Sequence, residues 1–164
     1  PLPEAQVDRF LFNIGMGYPS EEEERQILHH NTTIGRFEDY DIRPVLNPEI
    51  IMKMQILVRD VFVSPAIEQY IVKIVNATRY SDRAGVKLGS YIEYGASPRA
   101  SIGIYIAAKS QAFMSGMSYV TPQHVKDVCH DVLRHRILVT YEGQAENLTS
   151  DEIVAEILAR VPVP

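Results

Sequence analysis

At 164 residues with 46% hydrophobic side chains, the chain suffices for one domain with a real core, or one domain with a short appendage. Its 16 basic and 21 acidic side chains leave a net charge of −5, which argues against nonspecific binding to nucleic acid or to an anionic membrane. The single cysteine, Cys129, excludes an internal disulfide and suits a reducing cytoplasm, and no apolar run approaches the roughly 20 residues of a membrane span.

In chain order, Phe10, Phe12, Ile14, Met16 and Tyr18 alternate, which predicts a strand from Phe10 to Tyr18, weakened by Gly15 and Gly17. A linker falls near Pro19 and Ser20, where a helix opens on the capping box of Ser20 and Glu23. The acidic run Glu21 to Glu24 there complements the helix dipole. Four further helix starts share one grammar: Asn47-Pro48, Ser64-Pro65, Ser97-Pro98 and Thr121-Pro122. Proline pushes the preceding residue into the extended geometry an N-cap needs and pre-sets its own φ for the first turn. A last capping box joins Thr149 to Glu152.

Apolar stripes follow those starts at helical spacing. They are Ile50 or Ile51, Met54, Leu57, Val58 and Val61; Ile67, Tyr70, Ile71, Ile74 and Val75; and Val125, Val128, Cys129, Val132 and Leu133. From Ser97 the expected stripe is Ile102, Ile106, Ala107, Phe113 and Met114, with Gly103 and Ser110 allowing close approach. The segment Ser81 to Tyr94 reads as a loop or small hairpin, and Arg136 to Tyr141 as a short extended piece. The fold class is mainly α.

The stretch Gly95-Ala96-Ser97-Pro98-Arg99 places an arginine in a helix's first turn, among unpaired backbone N–H groups at the positive end of the dipole. An uncompensated cation there is unfavourable by about 0.3–1 kcal/mol, whereas a phosphate would meet both the helix end and the guanidinium fork. A structural ion pair with a nearby carboxylate would account for the same placement.

Gly95 to Ala100 resembles the second sensor motif of the MoxR-type AAA+ ATPases, and Leu2-Pro3-Glu4-Ala5-Gln6-Val7-Asp8-Arg9-Phe10 resembles the segment that follows the family's first sensor. Tyr119-Val120-Thr121-Pro122, Val132-Leu133-Arg134-His135-Arg136 and Val161-Pro162-Val163-Pro164 are also similar to it, so the resemblance runs nearly end to end in the family's order. It implies a helical lid bundle over residues 20–164, preceded at 1–19 by a strand-bearing remnant of the α/β ATPase core. It further implies a parent that binds and hydrolyses ATP, with Mg²⁺ held by the core, in a homo-oligomeric ring that remodels or matures client proteins. Arg99 would then sense the γ-phosphate, with Ala96, Ser97 and Pro98 framing the nucleotide contact. Arg9 would be the arginine finger reaching the next subunit's nucleotide, a catalytic role; local pairing with Asp8 or Glu4, or pairing with the lid, is the other reading.

No Gly-x-x-x-x-Gly-Lys-Ser/Thr phosphate loop and no apolar strand ending in paired acidic residues occurs in the sequence. The expectation is a C-terminal part of a longer, cytoplasmic ATPase that does not hydrolyse ATP alone and has no bound nucleotide of its own. Its partners would be the core domain of the same chain, neighbouring subunits and clients, without nucleic acid or a membrane span. The alternatives are a helical protein-interaction module that uses no nucleotide and, against the acidic charge, a helix-turn-helix nucleic-acid binder. No metal site is expected: His124, Asp127, Asp131 and His135 share one helix face, read as solvated, and such a face aims at most two ligands at one point. Cys129 on its apolar stripe reads as a buried hydrophobe, and Arg134, His135 and Arg136 as complements of a helix C-terminus.

Overall fold

The structure, a computed structural model, describes residues 3–31 and 42–164, and Leu2 of the first motif lies outside them. Helix starts follow the punctuation of the sequence. Ser64, Ser97, Thr121 and Thr149 each cap a helix through the side-chain oxygen, and Thr149 and Glu152 close a full capping box. Asn47 Oδ1 accepts from the Ile50 N–H at 2.8 Å, and Ser20 and Glu23 exchange the reciprocal pair of bonds at 3.3 and 2.7 Å.

The chain parts into two compact units, Gly15–Gln55 and the remainder. In the smaller unit helix α2, Glu21–Asn31, carries the predicted acidic first turn, and Glu22 pairs with Arg25 at 2.6 Å. Helix α3, Pro48–Asp60, follows; its predicted stripe is not sequestered, since no residue of the helix is buried and only Val61, just past its end, joins the core.

The larger unit starts with a single helical turn, α1, Glu4–Val7. Helices α4, Pro65–Ala77, α5, Pro98–Met114, and α6, Pro122–Leu133, form its centre, with α5 packed chiefly on α6 and α4 on α5. Two 3₁₀ turns, Ser81–Ala84 and Lys87–Tyr91, lead into strand β1, Ile92–Tyr94. It pairs antiparallel with β2, Leu138–Val139, so the predicted hairpin or loop and the predicted extended piece meet in one two-stranded ribbon. Short helix α7, Tyr141–Ala145, and α8, Ser150–Arg160, close the unit, with α8 against α6. The Tyr119-Val120 motif is fixed by a bridge to Phe62: the Phe62 N–H donates to Ser118 O and the Val120 N–H to Phe62 O, both at 2.9 Å.

The stripes of α4 and α6 are buried as expected. That of α5 matches the expected one only at Ala107 and, partly buried, at Phe113. Ile102, Ile106 and Met114 are 60%, 48% and 70% exposed, and the buried face is Ala100, Gly103, Ile104, Ala107, Ala108 and Ala112. The helix is apolar nearly all round, so periodicity alone does not choose a face; close packing on α6 chooses the small residues. A Cβ at Gly103 would sit 3.1 Å from the Val132 side chain, so the predicted close approach there is real.

The alternating run from Phe10 to Tyr18 is not a strand. Its first half lies over the larger unit with Phe10 57% and Phe12 40% exposed, and no ladder of backbone bonds forms. Backbone groups must be satisfied by something, and here side chains do it. The carbonyls of Asp8, Phe10, Leu11 and Asn13 all accept from Arg134, His135 or Arg136.

Candidate functional site

The Arg99 turn is built from its backbone outward. Gly95 passes flush against the end of α4, where an added Cβ would lie 2.6 Å from the Thr78 carbonyl carbon. Ala96 follows, 1% exposed; its N–H donates to Thr78 Oγ1 at 2.9 Å and its carbonyl accepts from Arg79 Nε at 2.6 Å. Both of its polar groups are engaged, so Ala96 fixes the turn and offers no face to a ligand. Ser97 is extended, Pro98 opens α5, and the Arg99 N–H donates to Ser97 Oγ at 3.2 Å.

The anion that this helix end calls for is present within the chain: it is Asp8. The Ser97 hydroxyl donates to the Asp8 carboxylate at 2.9 and 3.1 Å, and Arg99 Nη1 donates to Asp8 Oδ2 at 3.1 Å. From the opposite side Arg136 Nε reaches Asp8 Oδ1, also at 3.1 Å. Burial pushes the Asp8 carboxyl up, but the hydrogen bonds from Arg99, Ser97 and Arg136 outweigh it and hold the group below the usual carboxylate range.

The two arginines are not equivalent. Arg136 is 3% exposed and donates besides to Asp8 O, Phe10 O, Leu11 O and Val132 O, while Arg99 is 58% exposed and holds Asp8 through one nitrogen. Arg9, next in the chain, is exposed and lines an open cleft together with Arg99, Ile102 and Ile106. Asp8 is committed to Arg99 and Arg136, and among the described residues Arg9 makes no ion pair. Arg136 and Asp8 line the same cleft, so of its three guanidinium groups Arg136 is fully engaged, Arg99 is half-engaged and Arg9 is exposed.

Arg134, His135 and Arg136 do more than complement a helix end. Arg134 pairs with Asp151 at 2.8 Å and Asp131 at 3.1 Å and donates to Asn13 O. His135 Nε2 donates to Phe10 O at 3.0 Å, and among the described residues nothing partners its buried Nδ1; burial pushes the imidazole pKa down, toward the neutral form. The three consecutive residues clasp residues 8–13 onto α5 and α6, a role for which their sequence gave only the Arg-His-Arg run as a signal.

The polar face of α6 is likewise occupied and not simply solvated. His124 is buried and completes the capping box through Nδ1, and Asp127 accepts from Gln123 at 2.7 Å. Cys129 is fully buried and its thiol is pushed up to about 12 by burial, so it is no nucleophile at neutral pH. Among the described residues no three His, Cys, Asp or Glu side chains converge as metal ligands, and no helix is long and apolar enough to cross a membrane.

Residues 89–157, from the second 3₁₀ turn through most of α8, match the AAA lid domain family, and this span contains the whole Arg99 turn. Over its entire length the chain is 40% identical to the chaperone MoxR1 of Mycobacterium tuberculosis and 35% identical to the protein YeaC of Bacillus subtilis. The chain belongs to the MoxR-type AAA+ ATPases. It is a lid-bearing segment of that family, spanning 43% and 48% of those two relatives. A crystal structure of a Cytophaga hutchinsonii protein assigned as an ATPase superposes on all of it with a TM-score of 0.91 at 34% identity, the match covering 49% of that protein. The mainly helical lid architecture and the MoxR assignment are thus established together.

Proposed function

We propose that this segment is the nucleotide-responsive lid of a MoxR-like parent that binds and hydrolyses ATP in a homo-oligomeric ring and remodels or matures partner proteins. Arg99 is the sensor of the terminal phosphate, and Arg9 the finger offered to the neighbouring subunit's nucleotide. The observation that carries this reading is the cleft shared by Arg9 and Arg99, two exposed guanidinium groups with only one carboxylate arm between them. Each of the two keeps guanidinium donors available to a phosphate. ATP with Mg²⁺, when bound by the parent's core domain, supplies the transferable phosphoryl group; the residues here supply charge opposite it. Ser97 and Pro98 set the helix start, and Ala96 acts only through that turn. The boundary between core remnant and lid is proposed at residues 19 and 20.

The test is ATP turnover by the full-length protein. Arg99→Ala lowers it by about 10²-fold or more, as loss of an electrostatic stabiliser does. Arg9→Ala lowers it at least as far, and mixing Arg9→Ala subunits with subunits unable to bind nucleotide restores part of the activity at hybrid interfaces. Unchanged turnover in Arg99→Ala discards the sensor role, and no recovery in any mixture discards a finger acting between subunits. The second reading, a helical protein-interaction module, draws on the Asp8–Arg99 pair itself, since an internal carboxylate is what such a module would give Arg99. It calls for Arg99→Ala to leave turnover intact.

A further inference from the structure

We propose that Asp8 is a positioning residue that sets how well the nucleotide site tells ATP from ADP: its carboxylate is the internal counter-ion that a terminal phosphate displaces from Arg99, while Arg136 keeps hold of it. The inference rests on the sensor reading of Arg99 and adds a residue to it.

Three donors converge on this one carboxylate, and they differ in permanence. Arg136 is 3% exposed and tied to four backbone carbonyls, so its arm on Asp8 Oδ1 is fixed. Arg99 reaches Asp8 Oδ2 with a single nitrogen from a side chain that is 58% exposed. An exposed one-nitrogen ion pair is weak and exchangeable, whereas a buried, multiply bonded guanidinium is not. The Ser97 hydroxyl holds the carboxylate at the first turn of α5 by donating to it, so Asp8 supplies the negative charge that this 17-residue helix attracts.

A terminal phosphate entering beside Arg99 brings more charge and more acceptor oxygens than the carboxylate, and Arg99 transfers to it. Asp8 remains neutralised by Arg136 after the exchange, so no buried charge is stranded. ADP lacks the γ-phosphate that makes this contact, so it neither gains from Arg99 nor competes with Asp8. The carboxylate thereby weakens ATP binding selectively and keeps Arg99 docked when ADP is bound.

The experiment is titration of MgATP and MgADP into the full-length protein by calorimetry, read as the ratio of the two dissociation constants, in which the folded fraction cancels. Asp8→Asn tightens ATP about two- to fivefold, the worth of an exposed ion pair, and leaves ADP unchanged. In an Arg99→Ala background the same substitution leaves the ratio unchanged. Because Asp8→Asn could leave a new hydrogen bond to Arg99, Asp8→Ser is the second variant; Arg136 keeps its four backbone carbonyls in both, and Asp8→Ser gives the same rise in the ratio. The inference is overturned by a ratio that stays level or falls in both variants while Arg99 is present, or by an equal rise without Arg99. Failure of the sensor reading is separate: Arg99→Ala alone then leaves the wild-type ratio in place.

Discussion

Replacing Gly95 with alanine tests whether the Arg99 turn is held by backbone packing on the end of α4. The added methyl carbon lands 2.6 Å from the Thr78 carbonyl carbon and 2.9 Å from its Oγ1, closer still to the carbonyl oxygen; the two nearest are backbone atoms, and the hydroxyl is buried and hydrogen-bonded. Inserting a methyl into such a fit costs about 1–3 kcal/mol, against which the stiffer unfolded chain returns about 0.4–1 kcal/mol. A net loss of about 1–2 kcal/mol remains. For a chain of this length that lowers Tm by about 2–8 °C. Gly17→Ala is the control, since nothing lies within 4 Å of a Cβ there and its φ is not left-handed. Urea unfolding followed by tyrosine fluorescence gives the two midpoints. The strained variant also exchanges its Ala96 amide faster, because the bond to Thr78 Oγ1 is the first to lengthen. Equal midpoints for Gly95→Ala and Gly17→Ala would refute the fit and with it the claim that α4 aims Arg99.

Three other outcomes follow from the same geometry. Ile104→Ala costs about 2–5 kcal/mol and Ile102→Ala under about 0.5 kcal/mol, because Ile104 is fully buried on α6 and Ile102 is 60% exposed; similar urea midpoints would put the wrong face of α5 inside. Burial pushes the Asp8 and Asp151 carboxyls up, yet hydrogen bonds, from Arg99, Ser97 and Arg136 to the first and from Arg134 and His130 to the second, hold both below the ordinary 3.8. The unfolded chain therefore takes up protons first, so the stability these groups contribute is complete above that value and lost as pH falls through the lowered ones; Asp8→Asn flattens that acid limb, and an unaltered limb speaks against the pairing. Cys129 stays unlabelled by an aromatic disulfide reagent in native buffer and reacts once urea unfolds the chain; rapid native labelling contradicts its burial.

Helix starts were legible because each is a local event. Ser64, Ser97, Thr121 and Thr149 act within three residues of themselves, and the sequence prints both partners side by side. The faces of α4 and α6 were legible because polar residues mark the outside. In α5 no such contrast exists, and the choice fell to steric fit between two helices, which no periodicity encodes. The strand expected over Phe10–Tyr18 failed for a related reason: alternation describes a backbone that could pair, but a ladder needs a neighbour, and residues far along the chain took the carbonyls first.

The same distance in sequence separates what could be read of the site from what could not. Placing Arg99 at a helix start requires only Ser97 and Pro98, so its exposure and its need for an anion follow locally. Finding Asp8 there requires residues 91 apart to meet, and apart from the bonds to the Asp8 carboxylate itself they meet because Arg134, His135 and Arg136 bind the carbonyls of residues 8–13 irrespective of their side chains. Backbone recognition leaves no trace in the recognised sequence. Only the position of the Arg-His-Arg run, just beyond the last turn of α6, carries the information. The clasp therefore brings the Asp8-Arg9 pair to the head of α5, and a substitution in it that spares Arg99 should still misplace both charges at the cleft.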